Sequence, residues 1–139
     1  MKHLALLFIG FTLLFTSCST ADAELVADDF HKNMVEGNFD YICENLIDTE
    51  AEADLPEEFM DFLNIVATWG PQTNRVKTTD YNKKYSNGVT TVKLGYTFDT
   101  PDYHVYEKVV LVKRDEGYKI FMCVMDTDES VVIEGTKDY

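Results

Sequence analysis

The sequence predicts an α+β fold in which N-terminal helices pack on a four-stranded antiparallel sheet. Up to Pro71 the apolar residues recur with the spacing of amphipathic helices, and beyond it they alternate with a period of two. Turn-forming segments at Ser86-Asn87-Gly88, Thr100-Pro101-Asp102 and Asp115-Glu116-Gly117 divide the second half into strands. Because these connections are short, neighbouring strands run antiparallel and the sheet is a meander.

Three amphipathic helices precede the predicted strands. The first covers residues 24–36 and ends at Gly37, the second follows directly, and the third runs from Asp54 to about Trp69. Their apolar faces are Val26, Phe30 and Met34 in the first, Phe39, Ile42, Cys43 and Leu46 in the second, and Phe59, Phe62, Leu63, Val66 and Trp69 in the third. Residues 48–54 alternate acids with small side chains, which predicts a solvated loop.

Four strands are predicted over residues 73–85, 89–99, 105–113 and 118–125. The second is half-buried, whereas the third and fourth carry apolar residues on both faces. One of these faces holds Val110, Val112, Ile120, Met122 and Val124, and the other holds Val109, Leu111, Phe121, Cys123 and Met125. Since an antiparallel sheet needs only one covered face, we expect the second to be hidden by another copy of the chain or by the apolar run from Val131 to Ile133.

The first eighteen residues indicate export from the cytoplasm. Met1-Lys2-His3 is followed by an apolar run from Leu4 to Phe15, which is too short to span a membrane, and then by Thr16-Ser17-Cys18. This arrangement resembles the lipobox of bacterial lipoproteins. The resemblance implies a signal peptide at 1–17 and lipid on Cys18, which would anchor the protein at a bacterial membrane, expected to be the outer membrane, in the periplasm or at the cell surface. The alternative is an ordinary secretory signal with a cysteine near its end.

The remaining chain forms one domain, predicted at residues 24–127, between a tether at 18–23 and an acidic tail at 128–139. Removal of residues 1–17 takes away Lys2 and no acid, so the net charge of the remaining 122 residues is −14 instead of −13. Such a surface repels nucleic acid and anionic lipid, and nucleic-acid binding is therefore not expected.

Cys43 and Cys123 remain as an even pair if Cys18 carries lipid. They would either form a disulfide that closes a loop of about 80 residues or stay as two buried thiols. Two cysteines do not make a metal site. The acids at 48–54 and 126–129 lack the glycine and terminal glutamate of a calcium loop, so neither a metal nor a cofactor is predicted.

The order of elements resembles the nuclear transport factor two-like superfamily of cystatin-like folds. The resemblance covers three helices, a Gly37-Asn38-Phe39-Asp40 turn between the first two, and a closing hairpin from Glu107 to Arg114 and from Gly117 to Ile120. It implies a curved sheet wrapped around the helices as a cone, with a pocket at the open end, and often a homodimer through the outer sheet face. The pocket candidates are Trp69, Tyr96, Phe98, Tyr106 and Met122. Alternatively, these five side chains are simply the core of the domain.

Two functions fit this resemblance. The first is a non-catalytic module that binds a small ligand or a protein partner, and the second is a small cofactor-free enzyme of the ketosteroid isomerase or polyketide cyclase type. The enzyme needs a carboxylate base inside the cone, and the sequence offers no clear one, because Asp99 and Glu107 lie near strand ends. His104 follows a turn and is expected to be exposed, and His31 is expected at the boundary of its helix face. A partly polar pocket with a buried carboxylate favours the enzyme, whereas a cone filled by its own aromatic side chains excludes it.

Overall fold

The computed structural model describes residues 20–139. The predicted signal peptide at 1–17, Cys18 and Ser19 of the tether lie outside these residues. In chain order the elements are α1 (Ala21–Glu36), α2 (Phe39–Asn45), α3 (Leu55–Ala67), β1 (Thr73–Ser86), β2 (Val89–Asp99), β3 (His104–Arg114), β4 (Gly117–Asp126) and α4 (Glu129–Gly135). The described chain is therefore α+β, with four helices and one antiparallel sheet in the order β1-β2-β3-β4. None of these helices has the length and apolar character that crossing a membrane requires.

The predicted strands are confirmed to within one residue at each end, because local turn chemistry fixes their limits. Asn87 and Gly88 both adopt positive φ values, 52° and 81°, as a tight hairpin turn between β1 and β2 requires. The helices are confirmed as well, although α1 begins at Ala21, three residues earlier than expected. It ends where Gly37 adopts the left-handed conformation, with φ of 76°.

The inner face of the sheet packs against α1, α2 and α3 to form the core. Cross-strand partners on this face are Val92 with Leu111, Leu94 with Val109, Tyr96 with Glu107, and Phe98 with Val105. All eight side chains are buried. Apart from Tyr96 and Glu107, the pairs are purely hydrophobic, so one charged residue stands within an otherwise apolar layer.

The predicted faces of β4 are wrong at one position, Ile120. The pairing between β3 and β4 shifts by one residue, so that Val110 faces Met122 but Leu111 faces Ile120. Phe121 is the additional residue, and such a β-bulge reverses the alternation of side chains beyond it. Ile120 therefore points to the core with Leu111 and is fully buried, whereas Met122 and Val124 lie on the outer face with Val110.

The linker between α2 and α3 pairs with the free edge of β4. Asp48 donates its backbone N–H to the carbonyl of Ile120 at 2.8 Å, and Ile120 donates to the carbonyl of Leu46 at 2.8 Å. Asp48 was expected in a solvated loop, but it is buried and accepts two hydrogen bonds from Arg114 at 3.0 and 2.7 Å. Those bonds hold the pKa of Asp48 below its ordinary value, against the opposing effect of burial.

The predicted acidic tail forms α4, which packs on the outer face over β3 and β4. Val132 is buried there, and Lys93 of β2 donates a hydrogen bond from Nζ to the carbonyl oxygen of Thr136 at 2.8 Å. Val110 and Val112 of the outer face are buried. We expect this face to be covered by a second copy of the chain or by the chain's own tail, and in the structure the tail packs on it.

Candidate functional site

A buried carboxylate, Glu107, lies at the centre of a polar cluster between α1 and the sheet. Its side chain has no solvent exposure. Oε1 accepts hydrogen bonds from His31 Nε2 at 3.1 Å and from Cys123 Sγ at 3.5 Å. Oε2 forms an ion pair with Nη1 of Arg75. Both oxygens of the carboxylate are therefore engaged by the protein.

The partners of Glu107 come from three elements: His31 from α1, Arg75 from β1 and Cys123 from β4. His31 lies on the buried face of α1, one residue after Phe30, and is 6% exposed. Arg75 follows Asn74, whose φ of 54° accompanies an irregularity in the pairing of β1 with β2. The Arg75 guanidinium also bonds to the side-chain oxygen of Gln72 and lies 4.2 Å from the centre of the Phe98 ring. This support on three sides fixes the guanidinium over the core.

The charges around Glu107 set the ionisation of the cluster. Burial alone would raise the pKa of the Glu107 carboxyl, but the electrostatic influence of His31 and Arg75 and the hydrogen bonds from His31 and Cys123 hold it below its ordinary value. Since a carboxylate only accepts, Nε2 of His31 is the donor, and Nδ1 is left to accept a proton when the ring is neutral. Burial and the nearby Glu107 charge raise the pKa of the Cys123 thiol well above its ordinary value, so Cys123 is a neutral thiol and not a nucleophile.

A cavity of about 270 Å³ opens beside this cluster. Its lining consists of Glu24, Asp28 and His31 from α1, Arg75 and Lys77 from β1, and Tyr96 from β2. Lys77 and Glu24 form an ion pair at 2.9 Å at the more exposed side. The cavity is therefore strongly polar, and its lining carries charges of both signs.

Tyr96 forms the floor of this cavity and carries its most unusual group. The residue is 5% exposed, and its ring stands perpendicular to that of His31, with 4.5 Å between the ring centres. Its hydroxyl is buried and has no hydrogen-bond partner among residues 20–139. Burial, followed by the negative charges of Asp28, Glu107 and Glu24, raises the pKa of this hydroxyl above its ordinary value, so it remains a hydrogen-bond donor.

The structure does not bring the five predicted pocket residues into one cavity. Tyr96 lines the polar cavity, and Phe98 is fully buried in the core beneath Arg75. Tyr106 and Met122 pair with Thr97 and Val110 on the outer side of the sheet. Trp69 lines a separate cavity of about 220 Å³ with Tyr103 and Met125.

The remaining candidates lie apart from the cluster around Glu107. Cys43 and Cys123 are free thiols. His104 is exposed, as expected, and pairs with Asp99 at 2.6 Å beside the β2–β3 turn. Within residues 20–139, the acidic group that comes closest to a metal site is Glu52, Asp54 and Glu58, whose carboxylates are all exposed.

Sequence reasoning missed His31 and Arg75 and placed Glu107 only near a strand end. One signal for Glu107 was present: it alternates with Val105, Val109 and Leu111, so it shares their buried face. A charge in such a position needs a partner. Nothing in the sequence identifies that partner, because His31 is 76 residues away and Arg75 is 32 residues away.

Comparison with protein-family models, with curated proteins and with solved structures finds no match. The functional proposal therefore depends on the chemistry of this site.

Proposed function

We propose that this chain is an extracytoplasmic lipoprotein, anchored to a bacterial membrane through Cys18, whose domain binds a small polar ligand without transforming it. The lipobox-like segment before Cys18 supports the anchor, and the polar cavity between α1 and the sheet supports the ligand. We further propose that the helices and the meander form a cone of the nuclear transport factor two-like type. The order of helices before strands supports that assignment.

The observation that carries the binding function is the unpaired hydroxyl of Tyr96. A buried donor without an acceptor costs about 1–3 kcal/mol relative to a hydrated one. Because the hydroxyl is buried behind the cavity lining, a ligand oxygen reaches it only by displacing lining side chains; a ligand that does so accepts this bond and recovers that free energy on binding. The cost in the empty protein thus becomes affinity and selectivity for molecules with an acceptor at this point.

The rest of the lining defines the class of ligand. Arg75 is paired with Glu107 and Lys77 with Glu24, so these two cations offer a ligand only their remaining N–H groups, whereas the Asp28 carboxylate accepts hydrogen bonds from donors. A volume of about 270 Å³ lies near the lower limit of ordinary ligand sites. The ligand is therefore a small molecule with both donors and acceptors, and its acceptor oxygen points toward Tyr96.

Native mass spectrometry of the membrane-extracted protein tests this proposal. The wild-type protein and the control Tyr103→Phe, which alters a half-exposed tyrosine outside the cavity, are expected to carry a co-purifying small molecule. Tyr96→Phe, which removes only the hydroxyl, is expected to lose it. A ligand that stays on Tyr96→Phe, or a protein that binds none, would contradict the assignment. The same masses report whether the protein is a homodimer, which remains a prediction of the family resemblance.

The anchor has its own test. Cys18→Ser is expected to move the protein from the membrane fraction to the soluble fraction of the cell, because it removes the acylated thiol. A Cys18→Ser protein that stays with the membrane would contradict the proposed lipid attachment.

An isomerase-like enzyme is the second candidate, and the pair of Glu107 and His31 beside a partly polar cavity favours it. Glu107 itself is unsuited as the base, since both oxygens are occupied and its pKa is lowered. It would instead orient His31, whose other nitrogen takes the proton. Proton NMR of the identified ligand in D₂O decides between the candidates: exchange of a carbon-bound proton that is lost in His31→Gln indicates catalysis, and its absence indicates binding alone.

A further inference from the structure

The proposed lipid attachment lies very close to the folded domain. Helix α1 begins at Ala21, three residues after Cys18. Consecutive Cα atoms are 3.8 Å apart, so Cys18 lies at most about 11 Å from Ala21. A lipid on Cys18 therefore holds the start of α1 against the membrane surface and leaves the domain little freedom to move away.

The start of α1 lies at a defined end of the sheet. Met34 of α1 and Gly37, which follows the helix, line a cavity with Gly70 and Gln72 of the segment that leads into β1. The sixteen residues of α1 span about 24 Å, which places Ala21 toward the opposite end. The β1–β2 and β3–β4 turns are at that opposite end, where Ser86 pairs with Val89 and Arg114 with Gly117. Burial, followed by the charge of Asp22 at the start of α1, raises the pKa of Tyr118, which lies next to the β3–β4 turn. This agrees with a start of α1 at that end of the sheet.

The hairpin tip at residues 81–88 is the most exposed part of this end. Every residue from Tyr81 to Gly88 is exposed, and Tyr81 and Tyr85 are 62% and 76% exposed. Tyr81, Lys83 and Tyr85 face the same side as the helices, because they pair with Leu94, Val92 and Thr90. Tyrosine combines an apolar ring with a polar hydroxyl and is enriched at the headgroup level of membranes.

The charge of this hairpin tip differs from that of the rest of the chain. β1 contains Arg75, Lys77, Lys83 and Lys84, four of the twelve basic residues of a chain whose net charge is −13. Arg75 and Lys77 belong to the ligand site, where they pair with acids. Lys84 lies at the tip, and Asp115 and Glu116 lie in the β3–β4 turn at the same end of the sheet. An anionic surface repels most of this protein and attracts the hairpin tip, which orients the domain.

We propose that the hairpin tip at residues 81–88 is a membrane-contact surface, with Tyr81 and Tyr85 at the headgroup level and Lys84 facing anionic headgroups. The inference rests on the proposed lipid attachment at Cys18. It gives the domain a fixed orientation, in which the β2–β3 turn points away from the membrane.

Tryptophan fluorescence in vesicles tests this surface. Trp69, the only tryptophan, is replaced by phenylalanine, and a new tryptophan is introduced by Tyr85→Trp or, as the matched control at the opposite end, by Tyr103→Trp. The full-length proteins are reconstituted in brominated phosphatidylethanolamine and phosphatidylglycerol. We expect strong quenching of Tyr85→Trp and little quenching of Tyr103→Trp. Equal quenching of the two, or none at position 85, would overturn the contact.

The intact mass of the same preparations separates the two proposals. A lipidated protein whose position 85 is unquenched refutes the membrane contact and leaves the anchor standing, whereas a protein without lipid on Cys18 refutes both.

Amine acylation of the unsubstituted protein gives a second measurement that needs no new tryptophan. Lys84 is expected to react more slowly in vesicles than in the soluble Cys18→Ser protein, while Lys137 reacts equally in both. Equal rates at Lys84 would again refute the contact.

Discussion

Replacement of Tyr96 by phenylalanine is expected to stabilise the ligand-free protein. The substitution keeps the ring, and thus its contact with His31 at 4.5 Å, and removes only a buried hydroxyl that has no partner in residues 20–139. An unsatisfied buried polar group costs about 1–3 kcal/mol, so the free energy of unfolding should rise by about that amount. For a domain of this size, each kcal/mol corresponds to about 4 °C in the melting temperature.

The assay is urea unfolding of Tyr96→Phe, of wild type and of Tyr103→Phe, each after dialysis against ligand-free buffer. Because Tyr103 is half-exposed, its control should differ from wild type by less than about 0.5 kcal/mol. Bound ligand should reverse the order of Tyr96→Phe and wild type, since wild type and Tyr103→Phe gain stability from it and Tyr96→Phe does not. A loss of about 1 kcal/mol or more in ligand-free Tyr96→Phe would refute the reasoning, because it would show that the hydroxyl already has a partner.

Three further predictions concern the scaffold around the site. Asp48→Asn should lower the free energy of unfolding by about 2 kcal/mol at neutral pH. Because the pKa of Asp48 is lowered in the folded protein, urea unfolding should show that the difference from wild type shrinks as the pH falls below about 4. Gly95→Ala should destabilise the protein by about 1–3 kcal/mol in a thermal melt, since the new Cβ would lie 2.5 Å from Thr78 Oγ1 and 3.0 Å from the carbonyl oxygen of Asp80. The control Gly135→Ala should be tolerated, because its new Cβ has no contact nearer than 3.5 Å. Alkylation under denaturing conditions without reductant should modify both Cys43 and Cys123, and a mass without these additions would indicate a disulfide.

The elements were predictable because their signals are local. Gly37 ends α1, and Asn87 with Gly88 turns β1 into β2, through conformations that depend on a few neighbouring residues. The fold class could be predicted from these ends of helices and strands, together with the change from helical to alternating spacing of the apolar residues. The bulge at Phe121 is different, because the register of β4 depends on how β3 and the helices pack against it.

The site was not predictable for a related reason. Glu107 could be placed on an apolar face, but the sequence does not say which helix or strand comes to it. Its partners derive from α1, β1 and β4, and Arg75 reaches it from a strand whose residues are mostly polar. Tyr96 was predicted at the pocket, yet its importance lies in a hydroxyl without a partner, which only the packed structure reveals.

The pairing of the α2–α3 linker with β4 bears on when this chain folds. Leu46 and Asp48 close their hydrogen bonds on Ile120, and α1 also packs against β4, so the first part of the chain is completed by the last strand. Helices that emerge first from the ribosome therefore lack their partner until synthesis is almost finished. This late completion is compatible with the proposed export, because a chain that is still unfolded can pass through an export channel and complete its structure afterwards.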